Sequence, residues 1–154
     1  MDKFESFAFV GRVRMIVIIF LDDKKGMMFN GRRQSRDKAV TKRIQKLCEG
    51  KKLWMNTYSG KLYGSLEGVY ALVDDDFLSL ADKKDFCLIE SENLKPFAEN
   101  IDKIIVYWWN RAYPADVHLD LDLSQWEKKE QYEFQGRSHE KIVEEIYEKE
   151  GFIS

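Results

Sequence analysis

The chain has 154 residues, enough for one hydrophobic core and too few for a second, and its 44% hydrophobic and 14% aromatic content excludes a disordered tail. The formal net charge of −2 conceals a basic stretch: residues 24–52 hold eleven Lys or Arg against Asp37 and Glu49, a local +9, which leaves −11 on the remainder. Two histidines, His118 and His139, are too few for a hydrolase built on a His-rich dinuclear metal site.

Residues 1–14 are weakly patterned and read as an N-terminal extension, with a single domain expected over 15–154. The run MIVIIFL at 15–21 is a β-branched strand of the kind covered on both faces. It is too short to cross a bilayer, and it runs straight into Asp22, Asp23, Lys24 and Lys25 without a small-residue cleavage site, so no membrane partner is expected. Turn signals follow at 22–26. From Asp37 onward Val40, Ile44 and Leu47 keep helical spacing, with Ser35 as the expected N-cap and Glu49-Gly50 as the stop. Residues 52–58 read as a second strand, 59–68 as a loop with three glycines, 69–73 as a strand and 74–80 as a short helix. A core strand FCLI at 86–89, a helix or turn at 93–100 and a strong strand at 102–109 complete the alternation. Such alternation predicts an α/β sheet whose parallel strands are joined by crossovers.

The tail is ambiguous. Residues 126–134 and 142–147, separated by Gln135-Gly136-Arg137, fit an antiparallel hairpin, yet Ile142, Val143, Ile146 and Tyr147 also fit one helical face. Cys48 and Cys87 lie in apolar strings with no paired spacing and read as buried free thiols, which fits a cytoplasmic protein. Asp74, Asp75 and Asp76 are consecutive, so their side chains diverge, and they read as a solvated turn; no metal site is expected.

The stretch from FCLI through ENLKPFAENI and DKIIVYWW to Asp116-Val117-His118-Leu119, with Trp126, Phe134, Ser138 and His139 after it, resembles the dihydrofolate reductase fold. That resemblance implies a mostly parallel central sheet with flanking helices and a C-terminal antiparallel hairpin, and it favours strand for 142–147. The string GMMFNGRRQSRD at 26–37 is also similar to a signature of a short bacterial family to which the label ribonuclease Z has been attached. Ribonuclease Z proper needs an HxHxDH motif that this chain lacks, so the label implies no mechanism here.

The reductase resemblance implies a pterin-facing carboxylate, and Asp37 stands at that position as the catalytic candidate; the other reading of Asp37 is an acid favoured by the helix dipole. The family's Gly-Gly pair at the cofactor pyrophosphate is replaced by Glu90, Ser91 and Glu92, which repel phosphate and add Cβ atoms. Its Gly-Arg-x-Thr string is replaced by Asn56, Thr57, Tyr58 and Ser59, with no guanidinium for a 2′-phosphate. NADPH is therefore disfavoured and no cofactor is expected. A pterin-type oxidoreductase with atypical cofactor use is the alternative.

The expected ligand is a nucleotide-like or otherwise anionic small molecule near the Arg-rich loop. Asn30, Arg32, Arg33, Gln34, Ser35 and Arg36 supply forked donors and orienting groups at a helix N-terminus. Asn56, Tyr58 and Ser59 are expected on the opposite wall, with Trp109, Asn110 and Arg111 on the same rim. The same arginines could equally pair with the acidic remainder of the chain. His139 reads as a surface or satisfied histidine rather than a catalyst. Nucleic acid is a second candidate partner, though Lys38, Lys42, Arg43 and Lys46 fall on the helix's polar face. A homodimer or other protein-interaction module is the third.

Overall fold

A computed structural model describes residues 14–149; the expectation of an N-terminal extension lies, apart from Arg14, outside the described residues. Strand β1 (Met15–Leu21) sits at the centre of a seven-stranded sheet of order β5-β4-β6-β1-β7-β10-β9. Strands β4 (Lys52–Met55), β5 (Tyr70–Val73), β6 (Phe86–Ile89), β1 and β7 (Ile101–Trp108) run parallel. The tail resolves as an antiparallel hairpin, β9 (Trp126–Phe134) and β10 (Ile142–Lys149), with β10 laid along β7.

Strand β1 is apolar on both faces because both are covered. Val17, Ile19 and Leu21 enter one core with Cys87, Ile89 and Val106, while Ile18 and Phe20 enter the other with Val40, Ile44 and Leu88. Helix α1 (Lys38–Leu47) closes the second core by burying Val40 and Ile44, four residues apart on one face. Both cysteines are free and buried, and burial raises both thiols, Cys48 to about 12. Among the described residues no helix is long and apolar enough to cross a membrane.

Four local expectations change. The N-cap of α1 is Asp37 rather than Ser35. The second strand stops at Met55, and helix α2 (Thr57–Tyr63) replaces the expected loop; Asn56 caps it by accepting from the Ser59 N–H at 2.8 Å. The expected helix at 74–80 shortens to α3 (Phe77–Leu80), while residues 95–100 form a 3₁₀ turn within the helix or turn expected at 93–100. Three short strands, β2 (Gly26–Phe29), β3 (Arg32–Arg33) and β8 (Val117–His118), form a small second sheet that the sequence reading does not contain. Asn30 and Gly31, at φ of 57° and 74°, make the tight turn between β2 and β3.

The parallel strands end on one rim, at Asp22, Asn56, Glu90 and Trp109. Asp22 organises that rim. Its buried carboxylate accepts from the N–H groups of Lys24, Gly26 and Tyr113 and from Gln34 Nε2, all within 3.1 Å. Burial alone would raise its pKa, but these donors hold it below the ordinary value.

Candidate functional site

The rim residues gather into three groups rather than one pocket. The first surrounds Glu90. Its carboxylate receives a forked pair of bonds from Arg33, at 2.8 and 2.9 Å, and a third from Ser59 Oγ at 2.8 Å. Arg33 lies over the Tyr58 ring with its guanidinium carbon 4.6 Å from the centroid, and its backbone N–H donates to Tyr58 Oη. Glu90 is 4% exposed and the Arg33 side chain 18%, so this pair faces inward. Beside it, Asn56 Nδ2 donates to Ser91 Oγ and to Glu92, and burial raises the pKa of Glu92. Arg33, Tyr58 and Ser59, expected on opposite walls of a ligand pocket, come together around the chain's own carboxylate. Glu90 thus fills the end of β6 with an internal ion pair.

The second group is built on Asp37. Its side chain has no solvent exposure. Oδ1 accepts from the N–H groups of Ala39 and Arg137, at 2.8 and 2.9 Å. Oδ2 accepts from the Ser138 N–H, Ser138 Oγ and His139 Nδ1, at 2.8, 3.0 and 2.9 Å. One carboxylate therefore caps α1 and also holds the 136–139 turn of the β9–β10 hairpin. Gly136 permits this approach, since a Cβ there would lie 2.5 Å from Asp37 Oδ2. Burial would raise the Asp37 pKa, yet the Arg137 N–H, His139, the Ser138 N–H and the Ala39 N–H hold it well below the usual carboxylate range. Both oxygens are engaged inside the protein, which leaves neither facing outward toward a pterin ring.

His139, expected as a surface or satisfied histidine, is buried and belongs to this group. Ionised Asp37 can only accept, so Nδ1 carries a proton, and in the neutral imidazole Nε2 is the acceptor. Nε2 lies 3.0 Å from Ser35 Oγ and 3.2 Å from Tyr113 Oη. Trp109, 2% exposed, stacks on the imidazole at 4.7 Å and on Phe20 at 5.9 Å, so it is core rather than rim. The approach of His139 to Asp37 spans 102 residues and leaves no local sequence signal; the small residues Gly136 and Ser138 next to it are the nearest hint.

The third group is cationic and open. Arg36, Lys38, Lys42 and Arg137, with Leu62 and Ser138, line a cavity of about 690 Å³ at the N-terminus of α1. All four cations are exposed, and none is in an ion pair among the described residues. Lys38, Lys42 and Arg137 were not among the expected ligand residues. The other expected residues lie elsewhere. Asn30, Arg32 and Gln34 border a separate depression of about 450 Å³ with Phe29, Tyr113 and Pro114, and Asn110 and Arg111 border a smaller one with Glu140 and Lys141. Asn56 caps α2 outside all three.

No family model matches the chain, and no curated protein matches it. Among solved structures it is similar to dihydrofolate reductase from Enterococcus faecalis complexed with NADP(H) and RAB-propyl, with a TM-score of 0.64 and 15% identity over 89% of this chain and 96% of that one. The chain has a dihydrofolate-reductase-like fold.

Two measurements check this geometry. In chemical denaturation, Asp37→Ala removes a helix cap and strands buried donors, and should cost about 3 kcal/mol. A carboxylate more readily ionised in the folded state stabilises fully above the ordinary value of 3.8 and loses that contribution as pH falls below it, so the wild type should weaken in acid more steeply than the variant. For the Arg33–Glu90 pair, Glu90→Ala alone leaves a guanidinium unpaired and should cost about 3 kcal/mol, whereas Arg33→Met combined with Glu90→Leu should recover most of that loss.

Proposed function

We propose that this protein binds a nucleotide-like, anionic small molecule in the cavity at the N-terminus of α1, without using NADPH. The observation that carries the reading is the convergence of the exposed Arg36, Lys38, Lys42 and Arg137 on one cavity whose acidic lining residue, Asp37, is bonded to backbone N–H groups, Ser138 and His139 rather than to their side chains. Two other arginines of the basic stretch are paired internally: Arg33 with Glu90, and Arg43 by a forked pair of bonds to the buried Glu144. Cations left unpaired beside a helix N-terminus suit a phosphate or carboxylate, and Leu62 offers an apolar surface for a ring.

The nicotinamide cofactor of the reductase family fits poorly, since Glu90 and Arg33 occupy the end of β6 and Glu92 adds a second acid. A long nucleic acid fits less well than a small anion. The chain outside residues 24–52 carries a net −11, and exposed Glu130 on β9 has no ion pair among the described residues, which disfavours a polyanion running across α1.

Isothermal titration with nucleoside mono-, di- and triphosphates and with NADPH tests the reading. Saturable binding of at least one nucleoside phosphate is expected, weakened roughly tenfold or more by Arg36→Ala or Arg137→Ala, since a charge-assisted contact contributes about 1.5–3 kcal/mol. Heats from NADPH alone, unchanged in both variants, would overturn it.

A further inference from the structure

We propose that Ser35, His139 and Asp37 form a nucleophilic site that cleaves a small carboxylic ester through an acyl-Ser35 intermediate. The connectivity is Ser35 Oγ to His139 Nε2 at 3.0 Å and His139 Nδ1 to Asp37 Oδ2 at 2.9 Å. That is the arrangement in which a hydroxyl is activated: a base within reach of the nucleophile, oriented by a buried carboxylate behind it. Each member is held from outside the chain of bonds. Asp37 accepts four further hydrogen bonds, and the imidazole stacks on Trp109, so the ring has one orientation and one tautomer. Ser35 is half-buried, in a loop outside helix and strand, whereas His139 is closed off.

The reaction needs only water as co-reactant. Ser35 Oγ attacks the ester carbonyl carbon while its proton passes to Nε2. The tetrahedral adduct then expels the alkoxide, which takes that proton as the alcohol. Water attacks acyl-Ser35, giving its proton to Nε2, and breaking the acyl–Oγ bond returns the proton to Ser35 and releases the carboxylic acid. The Arg36 N–H, next in the chain after Ser35, has no partner among the described residues and is available to the developing oxyanion. Arg36 and Arg137 favour an ester that carries a phosphate or carboxylate; this preference rests on the anion-binding reading, whereas the nucleophile does not.

Tyr113 Oη shares the single lone pair of Nε2 with Ser35. Removing it should free that lone pair for the serine, the opposite of what loss of a supporting contact would do.

A neutral alkyl fluorophosphonate tests the nucleophile apart from anion binding, because Oγ displaces fluoride and the proton goes to Nε2. Peptide mass spectrometry should find one adduct, on Ser35. Ser35→Ala should abolish it, His139→Gln should slow it by about 100-fold or more, and Tyr113→Phe should speed it. Should His139→Gln fail to fold by circular dichroism, the Ser35→Ala and Tyr113→Phe results decide. No adduct, an adduct shared with the exposed Ser138 or Ser124, or loss of the adduct in Tyr113→Phe would overturn the proposal.

Discussion

The Asp37 carboxylate joins two parts of the protein that are far apart in sequence. Five donors converge on it, one from the first turn of α1 and four from the 137–139 turn. Helix α1 packs on one face of the sheet, and the β9–β10 hairpin closes its edge, so this single group fixes the angle between a face and an edge. A buried carboxylate without those donors would be costly; with them it remains ionised and the turn cannot drift. The positions of His139 and Arg137 follow from this junction, and Trp109, set by the end of β7, stacks on the imidazole.

The charge asymmetry of the sequence has a structural resolution. The +9 stretch and the acidic remainder meet at two forks on buried carboxylates, Arg33 with Glu90 and Arg43 with Glu144, the second also bonded by Tyr107 Oη. These pairs tie both arginines to the chain's own carboxylates. The cations left over on α1 join Arg137, which comes from outside the basic stretch, around an open cavity. The end of β6 is thus filled by the Arg33–Glu90 pair, and the cavity at the start of α1 is open.

The sheet is legible in the sequence because each parallel strand is a short apolar run bounded by turn residues, and MIVIIFL and FCLI are strands over the expected residues. The hairpin needed the family resemblance, since Glu and Lys fillers suit a helix as well as an edge strand. Helix α2 was obscured by Gly60 and Gly64, which read as a loop although Asn56, three residues before Ser59, is a sound cap. The Asn30-Gly31 pair is itself a legible turn signal. What local pattern does not carry is the pairing of distant charges. Arg33 and Arg36 look alike in the string RRQSR, yet one is bonded to an acid 57 residues away and the other is exposed.

The central claim is that an anionic ligand enters the cavity at the start of α1 and not the end of β6. Amide chemical-shift mapping by NMR during titration with a nucleoside phosphate tests it most directly. Shifts confined to residues 36–42 and 137–138 are the predicted result; shifts centred on Glu90, Ser91 and Glu92, with 36–42 unmoved, would contradict it.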